Sequence, residues 1–414
     1  MAVSMGVEEE FHIVDVESRM LVARAHEVLD VLPGRGFATE FQQSVVESNS
    51  GVHASLDALH ADLARSRRTL AGAAAPLGLA VVAAGTVPLA RPGSVDATPH
   101  PRYARMVDEY RMVADEQLIC GAQVHVDVPD RDTAVRAMCA ISPWLPTLLA
   151  LSASSPFWLG ADTGYASWRT LLWQRWPTTG PVGCFGSAVG YDAAVAALVR
   201  SGVISDAGMV YYDIRPSAHQ RTLELRICDA CPRVETVVMI AGLFRALVVD
   251  ACEAVRGSHH CQGSRQPWLR AATWRAARSG LDGALVDPTT GLATPARVVV
   301  RSLLTRLRPT LERFGDWANV CALAEQSLAR GDAAQQLRSV AESDGLAAVV
   351  DLLAGQTRAG TSPRARIGTR IQPAPERHSR AARVAARRSN AARGRAIRTT
   401  TSDERTGGAS SCAG

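Results

Sequence analysis

Three adjacent carboxylates, Glu8, Glu9 and Glu10, sit against the apolar residues Phe11, Ile13 and Val14 in the opening stretch MAVSMGVEEEFHIVD. In an extended strand, side chains alternate between faces. Glu8 and Glu10 therefore point the same way at about 7 Å spacing, and Glu9 points the other way. The same alternation puts Val7, Glu9, Phe11 and Ile13 on one face and Glu8, Glu10 and His12 on the other. Like charges that close need a counter-ion, and a carboxylate set favours a hard divalent cation such as Mg²⁺ or Mn²⁺ over zinc.

Other segments carry the same kinds of residue in the same period of two. GAQVHVDVP sets Ala122, Val124, Val126 and Val128 against Gln123, His125 and Asp127. QRTLELRICD sets Leu223, Leu225 and Ile227 against Thr222, Glu224, Arg226 and Cys228. GMVYYDIRP, which carries Arg215, precedes it across SAHQ, a spacing suited to an antiparallel hairpin. Glu47 in VVESNSGV is a fourth carboxylate at a strand-to-loop position, and LAVVAAGTV at 79–87 reads as a more buried strand. Solvent-facing strands ordinarily mix Lys, Thr, Ser and Arg. These polar faces hold metal-binding and phosphate-binding types, so the expectation is an antiparallel sheet with its apolar face on helices and its polar face lining a cleft. The plain alternative is that these are strand faces turned to water. Arg226, two residues after Glu224, places a fork of donors beside the acids, a geometry suited to phosphate. Arg215 is a second donor, for phosphate or a substrate carboxylate.

The elements around these strands are helical. ASLDALHADLARSRRTLAGAAA places Leu56, Leu59, Leu63 and Leu70 on one stripe. Similar patterns cover about 103–118, 131–152, 191–201, 232–256, 267–279, 295–308 and 333–354. The overall class is α+β. Residues 153–190 form a long Gly/Pro/Ser/Thr-rich segment with four of the eight tryptophans. It is read either as a lid or nucleotide-stacking wall, with Arg169 and Arg175 in reach of a phosphate, or as loop aromatics packed on the core.

Composition removes several chemistries. All 45 basic residues are arginine, which excludes a P-loop lysine, a kinase-type strand lysine and a pyridoxal Schiff base. Neither G-x-S-x-G nor G-x-G-x-x-G is present. The nine cysteines are an odd number scattered through apolar segments and read as reduced thiols. A zinc site from Cys228, Cys231, His259, His260 and Cys261 can be drawn, but no second CxxC supports it. No apolar stretch reads as a membrane span and no secretion signal is seen, which places the protein in the cytoplasm. Residues 357–414 hold 13 Arg against Glu376, Asp403 and Glu404. That net +10 leaves residues 1–356 at −5 within a whole-chain charge of +5. The division expected is thus a domain over 1–356 and a disordered basic tail over 357–414. A tail of this charge makes nucleic-acid association an alternative function, although it lacks aromatics for base stacking.

GVEEEF, VVESNSGV, CGAQVHVDV, LWQRWPTTG, DIRPSAHQRTLELRICDACP and GLDGALVDPTTG, in that order over about residues 5–356, resemble the carboxylate-amine ligase family related to bacterial glutamate–cysteine ligase type 2. The resemblance implies a glutamine-synthetase-like catalytic fold, a curved antiparallel sheet with helices outside and the site inside. It implies ATP-dependent joining of a carboxylate, typically the γ-carboxylate of glutamate, to an amine such as cysteine, and a possible homodimer. Carried to matching positions, it makes Glu8, Glu10, Glu47, Glu224 and His125 metal ligands for Mg²⁺ or Mn²⁺ and Arg226 the phosphate-holding residue. Gln123 and Arg215 become nucleotide or substrate contacts, and Arg175, from its place in the 153–190 segment, is expected to contact the cofactor. A catalytically silent nucleotide or metabolite binder of the same fold is the other reading of this residue set.

Overall fold

Alternation of β-branched and acidic residues in MGVEEEFHIVD produces an 11-residue strand, β1 (Met5–Asp15), and the rest of the sheet forms on it. The computed structural model describes residues 3–93, 96–256 and 266–359. The other sheet strands are β2 (Phe37–Thr39), β3 (Val45–Asn49), β4 (Leu79–Val82), β5 (Ala122–Asp127), β6 (Ile214–Pro216) and β7 (Thr222–Leu225). Their order is β2-β3-β1-β5-β7-β6, with β4 also beside β1, and every pairing is antiparallel. The expected β6–β7 hairpin forms, although β6 is shorter than its alternating sequence.

One face of this sheet is apolar. Val7, Val124, Val126, Leu223 and Leu225 are buried in one cluster with Leu56, Leu59 and Leu63 of α1 (Leu56–Ala74) and much of a 23-residue helix at Val234–Arg256. Fully burying each such side chain contributes about 1.5–3 kcal/mol relative to exposure. Ser55 caps α1 by accepting from the Ala58 N–H at 3.3 Å. The α+β class is therefore correct.

Several helices differ from expectation. The 103–118 pattern splits into α2 (Pro101–Tyr110) and a four-residue turn at Met112–Asp115, broken at Arg111, whose φ is +49°. The 131–152 pattern splits into α3 (Arg131–Ile141) and α4 (Leu145–Ser152), joined by a 3₁₀ turn around Pro143. Together they make a 22-residue stretch long and apolar enough to cross a membrane by length and composition, contrary to the expectation; it is mostly buried inside the protein. The aromatic segment is not a bare loop, since it contains α5 (Trp168–Trp173) and a two-residue strand pair. It is followed by α6 (Ala188–Arg200). The helix at Trp317–Arg330 carried no expectation. The last helix, α7 (Ala333–Arg358), is interrupted at Gly345 (φ +79°) and ends two residues past the expected boundary at 356. The basic tail after 359 lies outside the described residues.

The cysteines are not all free thiols. Cys139 on α3 and Cys184, just ahead of α6, are joined in a disulfide with Cα atoms 5.6 Å apart. Cys120, Cys228, Cys231, Cys252 and Cys321 are not in a disulfide.

Candidate active site

Sheet pairing lays the candidate residues in one row. Glu47 lies opposite Glu10, Glu8 opposite Gln123, His125 opposite Glu224, and Glu224 opposite Arg215. Directly opposed residues bring their Cβ atoms to about 4.5–5.5 Å, so the polar face converges without help from loops. The acids fall into two groups rather than one. Glu10, Glu40 and Glu47 form the first and Glu8, His125 and Glu224 the second; in each, one donor atom per residue lies within 4.8 Å of the others.

Glu40 has no counterpart in the sequence reading. It follows the short edge strand FAT, and β2–β3 pairing carries it to the other acids. Burial first, then Glu10 and Glu47, push its carboxyl up to about 8. Burial and then Glu8 push Glu47 up to about 7. Glu10 accepts from the Gly121 N–H at 2.6 Å and from Gln123 Nε2 at 2.7 Å, which leaves the buried Gln123 Oε1 without a partner. Glu224 is 2% exposed. Burial favours its neutral form, but Arg226 and Arg215 outweigh that and hold it at about 2. Arg215 donates to Glu224 at 2.7 and 3.2 Å, and Arg226 Nη1 donates to the same carboxylate. Arg226 Nε has no partner. His125 Nε2 lies 3.2 Å from Glu8 Oε1, and its Nδ1 is 3.0 Å from Thr222 Oγ1.

Two crowded groups of acids, with an unpaired buried amide oxygen beside one of them, fit a hard divalent cation. The all-carboxylate group suits Mg²⁺ or Mn²⁺ best. A pH prediction follows from the raised values. Glu40 and Glu47 bind protons in the folded protein that they release in the unfolded chain between about pH 4.5 and 8, so metal-free stability falls as pH rises through that range. A bound cation must displace those protons. The thermal shift produced by Mg²⁺ is expected to be clearly larger at pH 8 than at pH 6; equal shifts would remove this assignment.

The acids open onto a cleft of about 330 Å³ with an aromatic wall. Trp173 and Tyr211 have ring centroids 4.8 Å apart, Trp176 lies 5.8 Å from Tyr211, and Phe41 lies 5.3 Å from Tyr103. Trp176 Nε1 donates to Gln117 Oε1 at 2.7 Å. In the 153–190 segment, Phe157 and Trp158 pack in the core, while Trp173 and Trp176 line the cleft.

Arg175 is corrected by the structure. It donates to Glu116 and to the Leu172 carbonyl, and it lines a separate surface cleft with Thr179 and Arg270. The arginine that α5 turns into the cleft is Arg169, which is 3% exposed. It donates to the Ile227 carbonyl at 3.2 Å and the Arg226 carbonyl at 3.4 Å, and stacks 5.9 Å from the Trp173 centroid. Gly121 makes room for it, since a Cβ there would lie 2.4 Å from Arg169 Nη2. The segment is anchored by Asp229, fully buried, which accepts from the Ser154 N–H at 3.0 Å and from the Ser155 and Ser167 hydroxyls at 2.7 Å each.

His12 is also corrected. It shares its strand face with Glu8 and Glu10 but is fully buried, and burial lowers its pKa to about 3. Glu9 points away from the cleft as expected, yet not to solvent: it pairs with Arg67 of α1, and both are 1% exposed. Of the drawn zinc set, Cys228 and Cys231 are buried, while His259, His260 and Cys261 lie outside the described residues.

A family model described as glutamate-cysteine ligase family 2 matches residues 4–351. The chain belongs to that family. A relative from Mycolicibacterium smegmatis, provisionally named glutamate–cysteine ligase 2-2, is 50% identical over 356 residues, which are 86% of this chain and 90% of the relative. One of the same provisional name from Frankia casuarinae is 55% identical over 357 residues, and this chain spans only 42% of its length. Among solved structures, glutamate–cysteine ligase from Francisella tularensis in complex with AMP superposes with a TM-score of 0.65 at 11% identity, covering 87% of this chain and 89% of that one. A bifunctional glutathione synthetase from Pasteurella multocida gives 0.64 at 16% identity, covering 87% and 52%. These two likenesses are of fold.

Proposed function

We propose that this member of glutamate-cysteine ligase family 2 is an ATP-dependent carboxylate–amine ligase that works through an acyl phosphate. Glutamate's γ-carboxylate is the acid first expected and cysteine the amine. The observation that carries this reading is the meeting, on one sheet face, of the Glu10–Glu40–Glu47 group, Arg226 and the aromatic wall. The all-antiparallel sheet with helices on its apolar face supports a glutamine-synthetase-like fold, and the AMP bound in the Francisella structure supports nucleotide use. A cytoplasmic location belongs to the same reading.

A carboxylate reacts poorly with an amine because its leaving group is poor, so phosphorylation comes first. Glu10, Glu40 and Glu47, together with Glu8, His125 and Glu224, would hold Mg²⁺, which when bound would supply charge neutralisation for the nucleotide phosphates. The chain's own residues do the rest. Trp173, Trp176, Tyr211, Phe41 and Tyr103 offer flat apolar faces to the base. Arg226, fixed by Glu224, keeps Nε free to donate to the transferred phosphoryl group. Arg215 is fixed by the same carboxylate and by the Val210 carbonyl at 2.6 Å, which supports its use as a second cation for an acyl oxygen that gains charge. The site therefore performs with arginine what many phosphoryl-transfer enzymes perform with lysine.

The test is phosphate release from ATP by the full chain. Release is expected to require Mg²⁺, a carboxylate and an amine together. No release with any pair of amino acids, glutamate plus cysteine included, would discard the reaction.

A further inference from the structure

A small cavity of about 20 Å³ lies where the helix at Val234–Arg256 begins, the helix at Trp317–Arg330 ends and α7 both starts and finishes. Arg233, Arg330 and Gln356 line it, and it shares no residue with the aromatic cleft. We propose that this cavity binds one monoatomic anion, a halide such as chloride, between Arg233 and Arg330.

Two guanidiniums face this space without an acid between them. Burial first, and then Arg233, hold Arg330 below the ordinary arginine range. Glu235 offsets that only in part, and among the described residues no carboxylate forms an ion pair with either arginine. Asp332 also lines the cavity, but its carboxylate accepts from the Leu281 N–H at 2.7 Å and from the Gln335 N–H at 2.8 Å, where it caps α7. Arg233 Nε is buried and has no partner. The first turn of the 23-residue helix that follows Arg233 adds the positive end of its dipole. Like charges gathered in this way are relieved by a counter-ion held against them.

The rest of the lining decides the size and kind of anion. Gln356 is 7% exposed, and among the described residues its side-chain amide has no hydrogen-bond partner. A buried amide N–H in that state costs free energy unless an occupant accepts from it. Gln336 is already engaged, since its Nε2 donates to the Gly331 and Asp332 carbonyls at 3.3 and 3.1 Å. A cavity holds one water once about 10–15 Å³ is open to it, so this one takes a single water-sized or halide-sized particle and not a four-oxygen phosphate or sulfate. A water fills the space but leaves both positive charges unopposed. A halide fills it and opposes them, tying the start of one helix to the end of another.

The experiment melts the full chain in sodium chloride, bromide and gluconate at one ionic strength, and measures binding directly from the chloride NMR line width. Chloride and bromide are expected to raise Tm saturably by about 2–4 °C over gluconate. Arg330→Gln, which changes an exposed side chain, is expected to remove both the Tm shift and the excess line broadening. Arg233→Gln is expected to do the same, and should it not fold, Arg330→Gln decides alone. Arg330→Glu supplies the missing negative charge from the chain itself, so it is expected to melt above the wild type in gluconate and to ignore chloride. Phosphate is expected not to reverse the chloride line broadening. Equal melting in all three salts, or a chloride response that survives in Arg330→Gln, overturns the site. Displacement of chloride by phosphate at equal concentration overturns the size argument and the halide with it.

Discussion

Glu10→Gln is expected to abolish Mg²⁺-dependent phosphate release while leaving the fold intact. The loss should exceed the roughly 10- to 100-fold cost typical of a residue that only orients a metal ligand, because Glu10 belongs to the proposed donor set itself. The substitution has an opposite signature on stability. Glu10 helps to raise the carboxyls of Glu40 and Glu47, so removing its charge brings both back toward the ordinary range. The metal-free variant should therefore lose less stability than the wild type as pH rises from 6 to 8. One contact limits that gain, since an amide cannot accept from both the Gly121 N–H and the Gln123 amide in place of a carboxylate. Thermal melts at the two pH values, with and without Mg²⁺, check the stability half. An active Glu10→Gln enzyme with an unchanged Mg²⁺ response would remove Glu10 from the site.

One residue away the expectation reverses. Glu9→Ala should lower the unfolding free energy by about 3–5 kcal/mol, the usual cost of leaving one member of a buried ion pair alone. Arg67 would keep its charge in the interior, where now it donates to Glu9 at 3.2 and 2.5 Å and to the Pro232 and Cys231 carbonyls at 2.8 Å each. Replacing both residues, as Glu9→Leu with Arg67→Met, removes the unpaired charge and should recover part of the loss. Recovery stays incomplete because the two carbonyls lose their donor. Urea unfolding measures all three variants. A single-variant effect under about 1 kcal/mol would mean that Arg67 finds other compensation.

The contrast between these neighbours shows what alternation can and cannot carry. A period of two separates Glu9 from Glu8 and Glu10, and it also pairs Gln123, His125, Glu224 and Arg226 on one face. It says nothing of what covers that face. Glu9 was assigned a side but not a partner, because Arg67 comes from a helix whose packing against the sheet is a tertiary fact. His12 obeys the alternation and still leaves the site. The far half of β1 pairs with β4, and α7 covers that region with Leu337, Val349 and Leu353. Glu40 was invisible for a different reason, since a three-residue edge strand has too few alternations to show a period. Arg169 and Arg175 are six residues apart in a segment read as loop, and a loop has no phase. Only when Trp168–Trp173 is known to be helical does the direction of Arg169 follow, and Arg175 falls in the turn after that helix.

Asp229 has a consequence beyond holding its own loop. Three serines and the first turn of α5 are bolted to one buried carboxylate beside Arg169, so the tryptophan side of the cleft is a fixed jaw. The opposite side hangs differently. Tyr103 and Arg102 ride on α2, which ends at Arg111 in a backbone conformation that a long side chain adopts reluctantly, and Arg102 is tethered to partly exposed Asp206 at 3.2 Å. The looser side of the cleft is therefore α2, while the strand-borne carboxylates and Arg169 sit on elements anchored by buried groups.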